Sequence, residues 1–149
     1  MGGSDGMLRG EHQHSLDAKG RMILPARFRE TLGNSFIVTR GLDKCLFVYS
    51  LEEWNRFEEK VQKLPVTDPD ARKFIRFFFG GACEAEVDAQ GRALLPQNLR
   101  EYAGLTKEIV SIGVVNRVEI WQKENWDEYN GSDNFIDNEL AKRMAELGI

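Results

Sequence analysis

The chain has 149 residues, a net charge of −4, 42% hydrophobic and 10% aromatic residues. That allows one cored unit or two small ones and excludes a helical membrane span, since no apolar run nears the ~18–20 residues required. Cys45 and Cys83 are too few and too isolated for a disulfide framework or a zinc site, which points to a reduced cytosolic compartment.

Met1–Gly6 is Gly-rich and patternless, has neither a charged n-region nor an apolar h-region, and is expected to be a tag with Met7 as the native start. From Met7 to Arg40 six basic residues face three acids, a net of +3. From Glu119 to Ile149 eight acids face three bases, a net of −5. A basic front suits an anionic partner, and an acidic tail keeps the remaining surface away from it.

His12–Leu16 and Met22–Leu24 have strand character. Between them, Asp17-Ala18-Lys19-Gly20 places Asp first and Gly last, a turn that closes with a bulge. Pro25 ends the strand and suits the start of a helix. Phe28 and Leu32 then share one helical face, and Gly33 ends it. Phe36–Thr39 and Leu46–Tyr49 read as further strands. Ser50-Leu51-Glu52-Glu53 is a capping box opening a helix to about Leu64, before Pro65. Asp68 caps a helix over Asp70–Phe79, whose Phe74–Phe79 segment is aromatic core or a protein interface. Ile109–Val114 and Val118–Trp121 are strands, and Asp133 is expected to cap a last helix to about Leu147.

One phrase occurs twice. "LDAKGRMILP" (Leu16–Pro25) and "VDAQGRALLP" (Val87–Pro96) align at an offset of 71, which also pairs Gly10 with Gly81, Arg29 with Arg100 and Gly33 with Gly104. An offset of 72 then sets "LFVYSLEEW" beside "VEIWQKENW". The chain thus holds two copies of one unit. A unit of about 40 residues buries too little surface to stand alone, so the copies are expected to complete one barrel-like core.

Asp17, Gly20, Asp88 and Gly91 shape the two turns. Arg21 and Arg92 follow the glycines directly. Either each Asp–Arg pair merely stiffens its turn, or the guanidinium projects to an anion or a base edge.

Asp-x-x-x-Arg at a hairpin, followed by Leu-Pro and an Arg-Glu helix, resembles the swapped-hairpin AbrB (SpoVT-AbrB) DNA-binding domain. With "LDAKGRMILPARFRE", "FFFGGACEAEVDAQGRALLPQNLREYAGL" and "VSIGVVNRVEIW", the duplicated form resembles the MraZ family. The resemblance implies an α+β fold in which two AbrB-like repeats form one pseudo-two-fold double-split β-barrel with packed helices. Repeats over 7–54 and 78–126 would be joined by linking helices (55–77) and followed by a helical tail (127–149). It also implies a cytoplasmic, nucleoid-associated bacterial transcriptional regulator of the division and cell-wall gene cluster. Such a regulator binds direct repeats in double-stranded promoter DNA as a ring homo-oligomer.

Carried over by position, DNA contact falls to Arg21 and Arg92, with Arg29 and Arg100 as basic helix positions. Arg9, His14, Lys19 and Arg27 join them as basic or polar groups of the first copy. Lys19 and Arg27 become Gln90 and Asn98 in the second copy, and His12-Gln13-His14-Ser15 becomes Cys83-Glu84-Ala85-Glu86. The first copy is therefore expected to carry most of the contact.

His12 and His14 are two apart and share a strand face, but a third metal ligand is not evident. The two cysteines read as small buried hydrophobes, Trp54 and Trp126 as core, and Arg72, Lys73 and Arg76 as solvated or at a subunit contact. No P-loop, Ser/His/Asp arrangement or dinucleotide fingerprint is present. The chain is expected to be no enzyme and to need no metal, cofactor or small-molecule substrate. Alternatives are an oligomeric protein-interaction scaffold or an AbrB-type antitoxin with DNA binding secondary, and a metal hydrolase built on His12, His14 and a carboxylate.

Overall fold

The computed structural model describes residues 7–131 and 136–149. The expected tag and the expected Asp133 cap lie outside them. The first copy runs through β1 (Leu8–Ser15), β2 (Arg21–Ile23), α1 (Ala26–Leu32), β3 (Ser35–Arg40) and β4 (Leu46–Ser50). Helices α2 (Leu51–Gln62) and α3 (Pro69–Gly80) follow. The second copy repeats the order as β5 (Cys83–Glu86), β6 (Arg92–Leu94), α4 (Gln97–Ala103), β7 (Glu108–Val115), β8 (Arg117–Gln122), α5 (Lys123–Asn130) and α6 (Asn138–Glu146).

Local chemistry explains the boundaries. Ser50 Oγ accepts from Glu53 N at 3.1 Å, the capping box read from the sequence. Asp68 accepts from Asp70 N at 2.9 Å with Pro69 in the first turn. Helix α6 is capped by Asp137, whose carboxylate accepts from Leu140 N at 2.8 Å. Helix α2 stops at Gln62, two residues before the expected end.

The strands form a six-stranded antiparallel sheet, β1-β7-β8-β4-β3-β5, and a separate two-stranded ribbon, β2-β6. The expectation of one double-split barrel is corrected to this extent: the strands do not close into a barrel. Strands β2 and β6 are three residues each and pair with one another, leaving β1 and β5 as the edges of an open sheet. The main core fills the space between sheet and ribbon, with Met22, Phe28, Phe36, Ala93, Leu95 and Ile120 each at most 1% exposed.

The sheet order reads the same from both ends once β1 is equated with β5, β7 with β3 and β8 with β4. Between β4 and β8, Leu46 faces Ile120 and Val48 faces Val118, with Phe47 opposite Glu119 at the centre. In the ribbon, Met22 faces Ala93, and Arg21–Leu94 mirrors Ile23–Arg92. Each copy also lends a strand to the other: β1 lies on β7, and β5 lies on β3. Neither copy has a complete sheet alone, which is why the phrase is written twice.

A second, aromatic core lies between the sheet and α2, α3 and α5, built on Phe47, Tyr49, Trp54, Phe78 and Trp121. Arg40 secures it, with Nε donating to Phe77 O at 3.1 Å and its guanidinium 5.0 Å from the Phe77 ring centroid. Cys45 is buried and Cys83 half-buried, and burial raises both thiols above their ordinary value. Among the described residues no helix is long and apolar enough to cross a membrane.

Candidate nucleic-acid interface

Each hairpin turn is built alike. Gly20 N donates to Asp17 O at 3.0 Å and Asp17 N to Arg21 O at 2.9 Å, and Gly20 sits at φ +84. The second turn repeats this with Gly91 to Asp88 at 2.9 Å, Asp88 to Arg92 at 2.8 Å and φ +79. Only glycine takes such a φ without cost, so the turn closes with the expected bulge.

Asp17 Oδ1 accepts from the backbone of Lys19 and of Arg21, both at 2.9 Å, and Oδ2 holds Arg21 Nε at 2.6 Å. Asp88 accepts from Gln90 N and Arg92 N at 2.9 Å and holds Arg92 Nε at 2.8 Å. Backbone donation from Arg21 and Arg92, then their guanidinium groups, hold both carboxyls below the usual carboxylate range. The pairing stiffens each turn, yet it engages only Nε. A guanidinium carries five N–H donors. Among the described residues Arg21 bonds through Nε alone, whereas Arg92 also gives Nη2 to Gln90 Oε1 at 2.6 Å.

The pleat decides what the ribbon presents. Met22 and Ala93 point into the core, so Arg21, Ile23, Arg92 and Leu94 share the outer face. Ile23 and Leu94 are 57% and 54% exposed. The two arginines start two residues, about 7 Å, apart along the ribbon and flank this aliphatic pair. The sequence reading passed over Ile23 and Leu94. Their signal is alternation around Met22 and Ala93 at matching positions of both copies.

Arg29 and Arg100 cross between copies. A Cβ on Gly20 would stand 2.5 Å from the guanidinium carbon of Arg100, and one on Gly91 would strike Arg29. Arg100 Nε is also fixed on Leu95 O at 2.9 Å. Each helix arginine thus lies across the turn glycine of the other copy, and glycine is required there for room as well as for φ. Arg9 and Lys19 are exposed. Arg27 is exposed beside Gly10, where a Cβ would lie 3.4 Å from its Nη1.

His14, expected among the DNA-contacting groups, faces β7 from β1. Its ring is half-buried, with Nε2 2.5 Å from Ser111 Oγ on β7. Burial first, then the neighbouring His12, lowers its pKa, against the Ile23 backbone, which raises it. His12 shares that face and meets the Phe28 ring edge-on at 5.1 Å. Glu11 points the other way and accepts from Trp126 Nε1 at 3.0 Å. Among the described residues no three metal-ligating side chains cluster.

Glu84 and Glu86 are exposed on the face of β5 opposite core residue Ala85, turned away from the ribbon side. A different residue distinguishes the two turns. A cleft of about 560 Å³ beside the first is lined by Asp17, Gly20, Arg100, Thr106 and Lys107. Lys107 O accepts Leu16 N at 2.8 Å, and the matching bond runs from Val87 N to Asn34 O at 3.0 Å. The second copy therefore puts a lysine at the first turn, where the first copy puts an asparagine at the second. Sequence alignment of the copies alone missed this, because the pairing crosses between them.

A family profile described as "MraZ protein, putative antitoxin-like" matches residues 7–77 and again 78–146. The chain is 59% identical over 143 residues to the "Transcriptional regulator MraZ" of Acetivibrio thermocellus, covering 96% of this chain and 100% of that protein. It is 58% identical, with the same coverage, to the proteins of that name from Clostridium beijerinckii and Caldicellulosiruptor bescii.

Proposed function

The chain belongs to the MraZ family, and from that premise we propose that it is a transcriptional regulator that binds double-stranded DNA through the outer face of the β2–β6 ribbon. The carrying observation is that ribbon: two arginines, oriented by Asp17 and Asp88, on one exposed face about a two-fold axis. A two-stranded ribbon fits the major groove, where a guanidinium fork bonds a guanine edge bidentately. Arg21 and Arg92 read or clamp the DNA. Lys19, Arg9 and Arg27 add phosphate contacts, Arg29 and Arg100 hold the turns in place, and His14 supports β1 from within.

One barrel-sized unit offers few such contacts. In the proposed mode a ring of copies engages direct repeats in the promoter of the division and cell-wall gene cluster, in the cytoplasm at the nucleoid. Linked sites raise the effective concentration of each further contact. Fluorescence anisotropy on the DNA upstream of the gene tests this. Two or more repeats in register are expected to bind far more tightly than one, with a log–log salt slope steeper than roughly −3. Equal affinity for one and several repeats, or a flat salt titration, would favour the second reading, a protein-interaction scaffold or antitoxin. The apolar groove between α2 and α3 is the observation that favours that reading.

A further inference from the structure

The outer face of the ribbon carries more than its two arginines. Ile23 and Leu94 are exposed there, and an offset of 71 equates them. Among the described residues they are the one pair of large, exposed apolar side chains at matching positions of the two copies. Single exposed leucines need no explanation, but a matched pair set among charges does. Across the ladder Ile23 stands opposite Arg92, and Leu94 opposite Arg21. Along each strand the arginine lies two residues away on the same face. The face is thus a two-by-two patch, with the arginines on one diagonal and the aliphatic side chains on the other.

We propose that Ile23 and Leu94 select thymine in the major groove, packing on its C5-methyl group at base pairs next to those the arginines engage. The inference rests on the DNA-binding reading above and deepens it, from the face that binds to the bases it selects. Chemistry picks this occupant first. Of the base edges in the major groove only thymine's carries an apolar group, and guanine's acceptors suit a guanidinium. Spacing agrees. Cross-strand neighbours lie about 5 Å apart and same-strand ones about 7 Å, between one and two ~3.4 Å steps of stacked bases. Asp17 and Asp88 hold the Nε of Arg21 and Arg92, so each aliphatic group keeps a set offset from the base its arginine contacts. A protein surface covering the pair would have to take both guanidinium groups out of water and supply acids for them. A DNA groove holds acceptor and methyl side by side.

Fluorescence anisotropy of the full chain tests this on two forms of the DNA upstream of the gene. One contains thymine; in the other uracil replaces every thymine, which keeps the pairing and removes only the methyl. The variants are Ile23→Ala/Leu94→Ala and Arg21→Ala. Ile23 and Leu94 are exposed, so unchanged far-UV circular dichroism is expected of the first. Losing one packed methyl weakens binding about fourfold, so two contacts should give the unaltered chain a preference for thymine DNA of roughly tenfold or more. In Ile23→Ala/Leu94→Ala the affinity for thymine DNA should fall to that for uracil DNA, because the shorter side chain stops short of the methyl. Uracil DNA bound as tightly as thymine DNA by the unaltered chain overturns the proposal. So does an equal preference in the unaltered chain and Ile23→Ala/Leu94→Ala, since the methyl would then act through the shape of the duplex. In both cases a weakened Arg21→Ala leaves the DNA-binding face standing. Arg21→Ala binding both DNAs like the unaltered chain removes that face, and the proposal with it.

Discussion

The first hairpin and the second share a backbone and differ in what surrounds it. Both turns hold an Asp–Arg pair, a glycine at positive φ and an arginine laid across that glycine from the other copy. Around the first stand Lys19, Arg100 and Lys107; around the second stand Gln90, Arg29 and Asn34. Gln90 also engages Arg92 directly, while Lys19 leaves Arg21 bonded only to Asp17 among the described residues. Duplication thus kept the frame that positions an arginine and let the charge field drift. A symmetric scaffold here carries an asymmetric charge field, which on the proposed DNA-binding reading would make the two turns unequal partners for DNA.

The largest expected effect breaks that comparison at its centre. Arg21→Ala removes a donor fork from the more basic turn, and losing one good bidentate contact costs about 1–3 kcal/mol, tenfold or more in affinity. Copies bound to one DNA multiply the loss. Arg92→Ala is expected to cost less, since its Nη2 is already given to Gln90. Anisotropy titrations of both, with sedimentation as a control, decide it. An exposed turn pair contributes little to folding, so both variants should assemble as the unaltered chain does. If Arg92→Ala proves the more damaging, the asymmetry runs the other way.

A smaller effect sharpens the comparison from the flank. Lys107→Asn gives the first turn the neighbour that Asn34 is to the second. If Lys107 meets a phosphate, binding should weaken roughly evenly across sequences and the salt slope should become shallower by about 1. Asn34→Lys should move both quantities the other way. A slope unchanged in Lys107→Asn would place that lysine off the DNA.

These residues also mark how far the sequence could be read. The repeat, both turns, the Ser50 and Asp68 caps and the arginine pair were all legible, because each is a local pattern with a local cause. The open six-stranded sheet with its separate ribbon was not: sequence marks β2 and β6 as short strands, but which strand pairs with which depends on contacts between the copies. Glu84 and Glu86 looked like neighbours of Arg92 in the chain, and the pleat turned them to the opposite face. Lys107 stands 86 residues from Arg21, so only the crossing of one copy's loop to the other's turn brings it near. The half-burial of His14 was not legible either, because alternation fixes which residues share a face without saying which face is buried.

His14 carries the smallest effect, and it distinguishes the two halves in their interiors. It stands where the second copy has Ala85, so one half of the core holds an imidazole and the other a methyl group. Burial lowers the His14 pKa below its ordinary 6.5. As pH falls through 6.5 the unfolded chain takes up a proton that the folded chain still refuses, so the unfolded state gains and stability drops. Below the lowered value both states are protonated and the loss is complete. The linkage runs opposite to that of Asp17 and Asp88. Their depressed carboxyls favour folding at neutral pH and lose that contribution only as pH falls below the carboxylate range. Between pH 7 and 5 the imidazole, not the turn carboxylates, should therefore set the slope. Urea denaturation at several pH values should show stability falling with acidification, and His14→Gln should flatten that slope while lowering stability at pH 7 by loss of the Ser111 bond. An unchanged slope in His14→Gln would mean that the imidazole charges equally well folded and unfolded, and that the interior of the first half is as wet as its surface.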